Sequence, residues 1–169
     1  LSIKYSVVIT NPPYMGDLNK TLQDYVKKNY PNSKHDLCSV FIDRCLEMVN
    51  RNAYTAMITQ NAFMFLSRYE KMRRNLLKYE FVNMAHLGAR AFDAIGGEVV
   101  QTATFCMRKC NIPNYIGTYE RLVDSQSEAG KEAAYLEHQN IYQCKNEVFD
   151  VIPKAPMTYW VSEKILSMF

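Results

Sequence analysis

Short apolar runs alternate with segments of helical periodicity over the first part of the chain. The apolar runs predict three strands, at Tyr5–Thr10, 53–59 and 81–87. Apolar positions at helical intervals predict a helix between each pair of strands. Each helix follows the S-x-x-D or S-x-x-E spacing of a capping box, at Ser33 with Asp36 and at Ser67 with Glu70. This alternation of strand and helix is typical of parallel βαβ units.

The first predicted strand ends at a sharply defined position. Asn11-Pro12-Pro13-Tyr14 follows Thr10 directly. Because proline has no backbone N–H to donate to a sheet, we expect a buried strand that stops there and continues as a loop. Residues 16–34 are polar and mixed, which predicts chiefly a surface excursion with room for a short helix. The first capped helix should then run to about Asn50.

Beyond the third strand the alternation changes. Gly96-Gly97 interrupts the chain, and residues 99–108 predict a strand with almost no room for a crossover helix before it. That strand should run antiparallel, most simply as a hairpin with residues 81–87. We further expect an extended stretch at 115–123 and a helix at 125–139. Residues 140–169 should be irregular, apart from a final short helix at 161–168.

These elements predict an α/β fold with three parallel strands, one antiparallel strand and helices between them. A chain of 169 residues is long enough for one domain with a real core and too short for two large ones. It begins at Leu1 and its first residues already resemble a buried strand. We therefore expect a fragment of a larger domain.

Composition narrows the class of protein. Hydrophobic residues make up 48% and charged residues 22%, as in folded domains. No apolar stretch approaches the roughly 20 residues of a membrane span, and no signal peptide is visible. The net charge of +3 permits a nucleic-acid partner without arguing for one. Five cysteines without a CxxC pair favour a reducing cytoplasm over a disulfide framework, and no histidine stands at metal-ligand spacing from a cysteine.

Asn11-Pro12-Pro13-Tyr14 is the strongest chemical signal in the chain. The lone pair of an exocyclic amine such as adenine N6 is delocalised into the ring, so the nitrogen is a poor nucleophile. The Asn11 side-chain oxygen and the Pro12 carbonyl can accept hydrogen bonds from both amino hydrogens, and the two prolines stiffen the loop that presents them. Tyr14 offers a face on which a flipped base stacks, worth roughly 1–3 kcal/mol.

An ordinary turn is the alternative interpretation of this motif, because Asn-Pro and Pro-Pro occur in many loops. The position of the motif favours function. It follows a strand of an open α/β sheet at the carboxyl end, where ligand sites form.

Further blocks accompany the motif along the chain. They are SKHDL (33–37), FIDR (41–44), ITQN (58–61), FLS (65–67), LG (87–88), RAFD (90–93), GEVVQT (97–102) and TYWVSE (158–163). Together with Asn11-Pro12-Pro13-Tyr14, they resemble the adenine-specific DNA methyltransferases of BREX phage-defence systems, the PglX type. The similarity covers most of the chain and is far more specific than the four-residue motif alone.

The resemblance implies a partial Rossmann-like methyltransferase sheet of which this chain holds the second half. Residues 1–124 would be the catalytic half, and residues 125–169 a helical or irregular extension towards a target-recognition region. The implied activity is S-adenosylmethionine-dependent methylation of adenine N6 in DNA, with DNA and other phage-defence proteins as partners. The family's glycine-rich cofactor loop and ribose-binding acid precede the motif and have no match here. The isolated chain should therefore be inactive and bind the cofactor weakly or not at all.

Other residues have a functional and a structural interpretation. Phe92 and Phe65 are candidates for the second face of a flipped base, although loop packing explains either. Gln60 and Asn61 end the second strand and would meet substrate or form a cap or turn. His86 is predicted to be a hydrogen-bonded core residue. The candidate DNA-backbone contacts, for which a solvated face is the alternative, are Lys20, Lys27, Lys28 and Lys34.

Two alternative functions stay open at this point. Asn-Pro-Pro-Tyr loops also serve amino-methylation of RNA or of protein glutamine, because the amide poses the same electronic problem. The second alternative is a methyltransferase-like module that binds DNA or scaffolds a complex without transferring methyl groups. The blocks downstream favour the DNA enzymes, and an intact Asn11 argues against a degenerate site.

Overall fold

A computed structural model describes residues 3–92 and 100–169, and these form one mixed sheet with helices. The strands are Tyr5–Thr10 (β1), Val49–Gln60 (β2), Glu80–Gly88 (β3), Thr102–Arg108 (β4), Ile116–Arg121 (β5) and Ile141–Lys145 (β6). The α-helices are Lys20–Asn29 (α1), Leu37–Met48 (α2), Ala62–Phe65 (α3), Glu70–Leu76 (α4), Glu128–Leu136 (α5), Glu147–Val151 (α6) and Glu163–Leu166 (α7).

The strand order in the sheet is β1-β2-β4-β3-β5-β6. β1 is parallel to β2, and β3 is parallel to β5, whereas β4 is antiparallel to both β2 and β3. The strands β1, β2, β3 and β5 therefore run in one direction, and their carboxyl ends share one edge of the sheet. The predicted α/β class and the antiparallel hairpin of β3 with β4 are confirmed. The insertion of β4 between β2 and β3 was not predicted.

The main core lies on one face of this sheet. Alternate residues of the central strand β4 point into it, and their side chains are almost completely buried, as the two-residue period of a strand requires. The residues of β4 in this core are Ala103, Phe105 and Met107. They share a cluster with residues of α2 and α4, including Ile42, Leu46, Met72 and Leu76. The helices predicted between the strands thus cover this face of the sheet.

The prediction of a buried first strand was wrong for this chain. Only Val8 of β1 packs against the core. Tyr5, Val7 and Ile9, which alternate with it, are exposed to 41%, 51% and 75%. The reason is that β1 pairs with β2 alone among the described residues, and no described helix lies over its second face.

Several local predictions need correction. The segment predicted to be chiefly a surface excursion contains the ten-residue helix α1, capped by the side chain of Asn19. α2 is capped by Asp36, which accepts from Ser39 N–H, whereas Ser33 donates its hydroxyl to Asp43 at 2.6 Å. Ser67 begins a short 3-10 turn ahead of α4 and makes no cap hydrogen bond. Asp36 thus replaces Ser33 as the cap of α2, whereas no side chain caps α4.

The carboxyl-terminal part is more regular than predicted. β6 extends the sheet by antiparallel pairing with β5, and α6 follows it. The final helix is shorter than predicted and covers Glu163–Leu166. In the described part of the chain, no helix is long and apolar enough to cross a membrane.

Candidate functional site

The Asn11–Tyr14 loop leaves β1 at the carboxyl edge of the sheet, beside the end of β2. β1 and β2 are paired in register up to Thr10 and Met57. Within the loop, Pro12 is buried, Tyr14 is half-buried, and Asn11 and Pro13 are exposed. The Asn11 side chain therefore stands in solvent while the backbone behind it is enclosed.

The start of α2 holds this loop in place. The Cys38 thiol donates to the Pro13 carbonyl at 3.5 Å, and the Leu37 N–H donates to the Met15 carbonyl at 2.8 Å. The Met15 N–H also donates to Pro13 at 3.0 Å, closing the turn. Burial raises the pKa of Cys38 to about 11, so the thiol keeps its proton and remains a donor. The loop is thus fixed through Pro13 and Met15.

Asn11 and the Pro12 carbonyl take no part in the hydrogen bonds that hold the loop. Across residues 3–92 and 100–169, no hydrogen bond reaches the Asn11 side-chain amide or the Pro12 carbonyl. These are the two groups that the sequence predicts to be acceptors for an exocyclic amine. Their neighbours carry the hydrogen bonds that shape the loop, so two acceptors remain for a ligand.

Tyr14 presents a neutral phenol. Its hydroxyl is buried and has no hydrogen-bond partner among the described residues. Burial, followed by the neighbouring Cys38, raises its pKa to about 12. The hydroxyl therefore points into the protein, and the exposed part of this half-buried residue is available to a planar ligand.

The two other aromatic candidates lie in different surroundings. Phe65 ends α3, just after β2, and its half-buried ring contacts His86 at 5.5 Å and Trp160 at 5.8 Å. Phe92 is half-buried and is the last described residue before the segment 93–99. The predicted glycine interruption at Gly96-Gly97 falls within that segment and lies outside the described residues.

All four candidate lysines are exposed. Lys20 and Lys27 are seven residues apart on α1, so they lie on one side of that helix and about 10 Å apart along its axis. Lys28 follows directly, in the last turn. Lys34 lies beyond the helix, in the turn that precedes α2. The structure thus brings the first three together on one helix.

His86 is confirmed as a hydrogen-bonded core residue. Its Nε2 lies 2.9 Å from the Asn61 amide nitrogen, and its Nδ1 lies 3.1 Å from the Tyr159 hydroxyl. Because an amide nitrogen can only donate, Nε2 accepts and the ring proton sits on Nδ1. Burial, then Arg121 and Lys131, lower the pKa of His86 to about 4, so the ring is neutral. The Asn61 side chain serves this contact and forms no helix cap.

Three further residues at this edge were given no functional role from the sequence, although two of them lie in the TYWVSE block (158–163). Trp160 stacks near His86 at 6.4 Å, and the Arg121 guanidinium lies 5.9 Å from the Trp160 ring centre. The Tyr159 ring packs edge-on against Trp160, with the ring centres 4.9 Å apart. Their approach depends on contacts between residues far apart in the chain, although Trp160, the single tryptophan, was a signal that composition offered. Within the described ranges, no three histidine, cysteine or acidic residues form a metal-binding cluster.

Comparison with solved structures establishes the fold. A type I restriction-modification system complex superposes with a TM-score of 0.68 at 16% identity, covering 98% of this chain and 39% of the other. The DrdV–DNA complex gives 0.65 at 14% identity, over 94% of this chain and 18% of the other. The methyltransferase subunit of a Streptococcus thermophilus type I system superposes with a TM-score of 0.60 at 13% identity. This superposition covers 94% of this chain and 38% of the other.

Sequence comparison is more specific. The chain is 45% identical to the adenine-specific methyltransferase PglX of Lacticaseibacillus casei (strain Zhang) and 37% identical to BrxX of Escherichia coli O9:H4 (strain HS). The alignments cover 99% and 100% of this chain, which spans about 15% of the length of these curated relatives. Residues 1–92 match the model of the Eco57I restriction-modification methylase family. The chain therefore belongs to the Eco57I restriction-modification methylase family.

Proposed function

We propose that this chain supplies the base-binding half of an S-adenosylmethionine-dependent DNA methyltransferase that modifies adenine N6 in restriction-modification or phage defence. One observation carries the proposal. The Asn11 side chain and the Pro12 carbonyl are free of hydrogen bonds to the described residues, on a loop that Cys38 and Leu37 fix at the carboxyl edge of the sheet.

The chemistry follows from two acceptors meeting one amino group. One N6 hydrogen bonds to the Asn11 oxygen and the other to the Pro12 carbonyl. These two bonds favour a pyramidal nitrogen whose lone pair is no longer delocalised into the ring. The nitrogen then becomes more nucleophilic, and the surplus proton leaves after methyl transfer. Because the loop is already ordered by neighbouring bonds, little further ordering is required when the base binds.

The roles of the other candidates follow from their surroundings. Tyr14 stacks against one face of the flipped adenine. Phe92 serves the second face of the flipped adenine, whereas Phe65 lies beside His86 and Trp160 and has a separate role. Lys20, Lys27 and Lys28 on α1 contact phosphates, and Lys34 adds to that surface.

The described residues do not fit the cofactor. A glycine-rich turn after a strand is required for close backbone approach, and Gly88 is the glycine that ends β3. The space beside Gly88 that a ligand would enter is occupied by Val123, whose Cγ1 lies 2.9 Å from the position of an ideal Cβ. S-adenosylmethionine supplies the methyl group, and we assign its binding to another part of the protein.

The wider setting is also part of the proposal. The protein acts on DNA in the cytoplasm, together with other phage-defence proteins, as its resemblance to the BREX methyltransferases implies. The names of the relatives support the adenine-specific methyltransferase activity. Residues 1–124 form the catalytic half, and residues 125–169 lead towards the region that recognises the target sequence.

Methyl transfer by the whole protein tests the role of Asn11. The protein that contains this chain is incubated with its partner proteins, methyl-labelled cofactor and plasmid DNA. Asn11→Ala should reduce labelling by about 100-fold or more, the scale expected when one hydrogen-bonding group that stabilises a transition state is removed. Asn50→Ala is the matched control, because Asn50 is exposed at the opposite end of β2.

Each outcome has a clear meaning. Equal labelling by wild type and Asn11→Ala contradicts the role of Asn11. Binding of DNA by both proteins without labelling by either favours a binding or scaffold module. Labelling of RNA or protein in place of DNA favours the other amino-methyltransferases.

A further inference from the structure

We infer that Phe65, Trp160 and Arg121, here called the aromatic ledge, bind an unstacked nucleobase of the DNA substrate. This inference rests on the proposed function and adds a second base contact beside the Asn11–Tyr14 loop. It involves residues that neither the motif nor its chemistry requires.

The ledge lies on the same edge of the sheet as Asn11. Phe65 lies five residues beyond the end of β2, and Arg121 is the last residue of β5. Both strands run in the direction of β1, so their carboxyl ends share its edge. The loop also starts beside the end of β2, because β1 and β2 are paired up to Thr10 and Met57.

The ledge combines exposed aromatic surface with a cation. Trp160 is 36% exposed and Phe65 is half-buried, with their ring centres 5.8 Å apart and planes inclined by 61°. The Arg121 guanidinium lies 5.9 Å from the Trp160 ring centre. Aromatic faces beside arginine are the usual means by which proteins hold single bases without reading their sequence, because every base has a π-face.

A single buried arginine fixes both segments that carry the aromatic residues. Arg73 donates to the carbonyls of Phe63 and Leu66, on either side of Phe65, at 2.7 and 2.8 Å. It also donates to the carbonyls of Lys154 and Ala155, at 2.8 Å each. The ledge is therefore ordered before any ligand arrives, which lowers the entropic cost of binding.

A second set of contacts anchors the ledge from below. His86 accepts from Asn61 and donates to Tyr159, the residue before Trp160. The His86 and Trp160 rings are nearly parallel, inclined by 30°. Trp160 is thus held against the core by one side and keeps its exposed part towards solvent.

Arg121 remains able to meet a phosphate. Its ion pair with Asp124, at 2.6 Å, lies at the surface, with the two side chains exposed to 32% and 66%. Exposed pairs contribute little, so a phosphate can compete with Asp124 for the guanidinium. The guanidinium lies over the Trp160 ring, so a base that stacks there takes its place while Arg121 turns to the phosphate of the same nucleotide. This pair of contacts fits a nucleotide rather than a peptide.

Fluorescence of the full chain tests the ledge directly, because Trp160 is its only tryptophan. The chain is titrated with a short single-stranded DNA and with an abasic phosphodiester of the same length. Stacking should quench Trp160 emission with the base-bearing strand and leave it unchanged with the abasic one. Labelled versions of both strands report binding separately by fluorescence anisotropy.

Variants separate stacking from charge. Phe65→Leu and Arg121→Gln should each weaken binding of the base-bearing strand by about tenfold, the scale of one stacking contact. Arg44→Gln is the matched control, because Arg44 pairs with Glu47 at 3.0 Å in the same i, i+3 arrangement on α2. Circular dichroism verifies that each variant is folded, and the abasic comparison needs no variant.

The inference is overturned if DNA binds without quenching Trp160, if the abasic strand quenches equally, or if neither strand binds. Quenching by a proline-rich or aromatic peptide in place of DNA would assign the ledge to a protein partner. Failure here is distinct from failure of the proposed function. Loss of methyl transfer in Asn11→Ala with no quenching of Trp160 contradicts only the ledge, and the reverse result contradicts only the role of Asn11.

Discussion

His86 illustrates how a single residue is fixed by its surroundings. Its ring is 7% exposed, and both nitrogens are occupied, one by Asn61 and the other by Tyr159. A second proton on Nε2 would break the bond from Asn61 and place a charge inside the fold near Arg121 and Lys131. The folded protein therefore takes up this proton only near pH 4, whereas an unfolded histidine takes it up near 6.5.

This difference predicts a pH dependence of stability. Between about pH 6.5 and 4 the unfolded chain binds the proton and the folded chain does not, so the free energy of unfolding falls as the pH falls. Between pH 7.5 and pH 5, proton uptake by His86 in the unfolded chain should lower the free energy of unfolding by about 2 kcal/mol. Urea denaturation at the two pH values measures this, and His86→Gln should remove that part of the dependence.

His35 provides the comparison at the residue scale. Burial, followed by Arg68 and Lys34, also lowers its pKa, so it adds to the acid sensitivity in both proteins. The difference between wild type and His86→Gln isolates His86. An identical pH dependence in the two proteins would contradict the assignment of a neutral, hydrogen-bonded ring.

Arg73 connects elements rather than neighbouring residues. It is completely buried on α4, and its guanidinium bonds the backbone on both sides of Phe65 and at Lys154 and Ala155. The latter two residues have positive φ angles of 72° and 49°, which non-glycine residues rarely adopt. Arg73 stabilises the turn that these two residues form, because it donates hydrogen bonds to both of their carbonyls.

Replacing this arginine should separate the elements that it joins. Arg73→Met removes four hydrogen bonds to backbone carbonyls, of which those to Phe63 and Ala155 are buried, and should lower the free energy of unfolding by about 3–5 kcal/mol. Arg74→Met should cost less than about 1 kcal/mol, because the Arg74 ion pairs with Glu70 and Asp150 lie at the surface. Chemical denaturation of both variants makes the comparison, and equal losses would show that Arg73 contributes no more than a surface charge.

The secondary-structure elements that could be predicted are those determined by residues close together in the sequence. β1, β2, β3 and α2 follow from apolar periodicity, and the Asn11–Tyr14 loop follows from the inability of proline to extend a strand. β6 could not be predicted, because it is short and is defined by its pairing with β5. The cap at Asp36 in place of Ser33 depends on which oxygen reaches Ser39 N–H. The ledge depends on Arg73 meeting residues about eighty positions away, which no local pattern reveals.

At the scale of the whole molecule, the two faces of the sheet differ. One face is covered by the helices between the strands, whereas α5 covers the second face only near β3 and β5, through Ala85, Leu122 and Ala134. On β1, the exposed Tyr5, Val7 and Ile9 form a continuous apolar stripe. A contiguous apolar surface differs from scattered exposed residues because it can order a ligand or a second molecule.

The stripe should therefore dominate the surface behaviour of this chain in solution. The double substitution Val7→Thr with Ile9→Thr keeps β-branched residues in β1 and should reduce binding of the dye ANS, and self-association in sedimentation, by about half. The control pair is Leu136→Gln with Ile165→Gln, which removes apolar surface of similar exposure, 68% and 48%, from two separate helices. Because those two positions lie on separate helices and not on one strand, dye binding should fall less than for the β1 pair. Equal reductions in both pairs would mean that the contiguity of the β1 stripe has no effect.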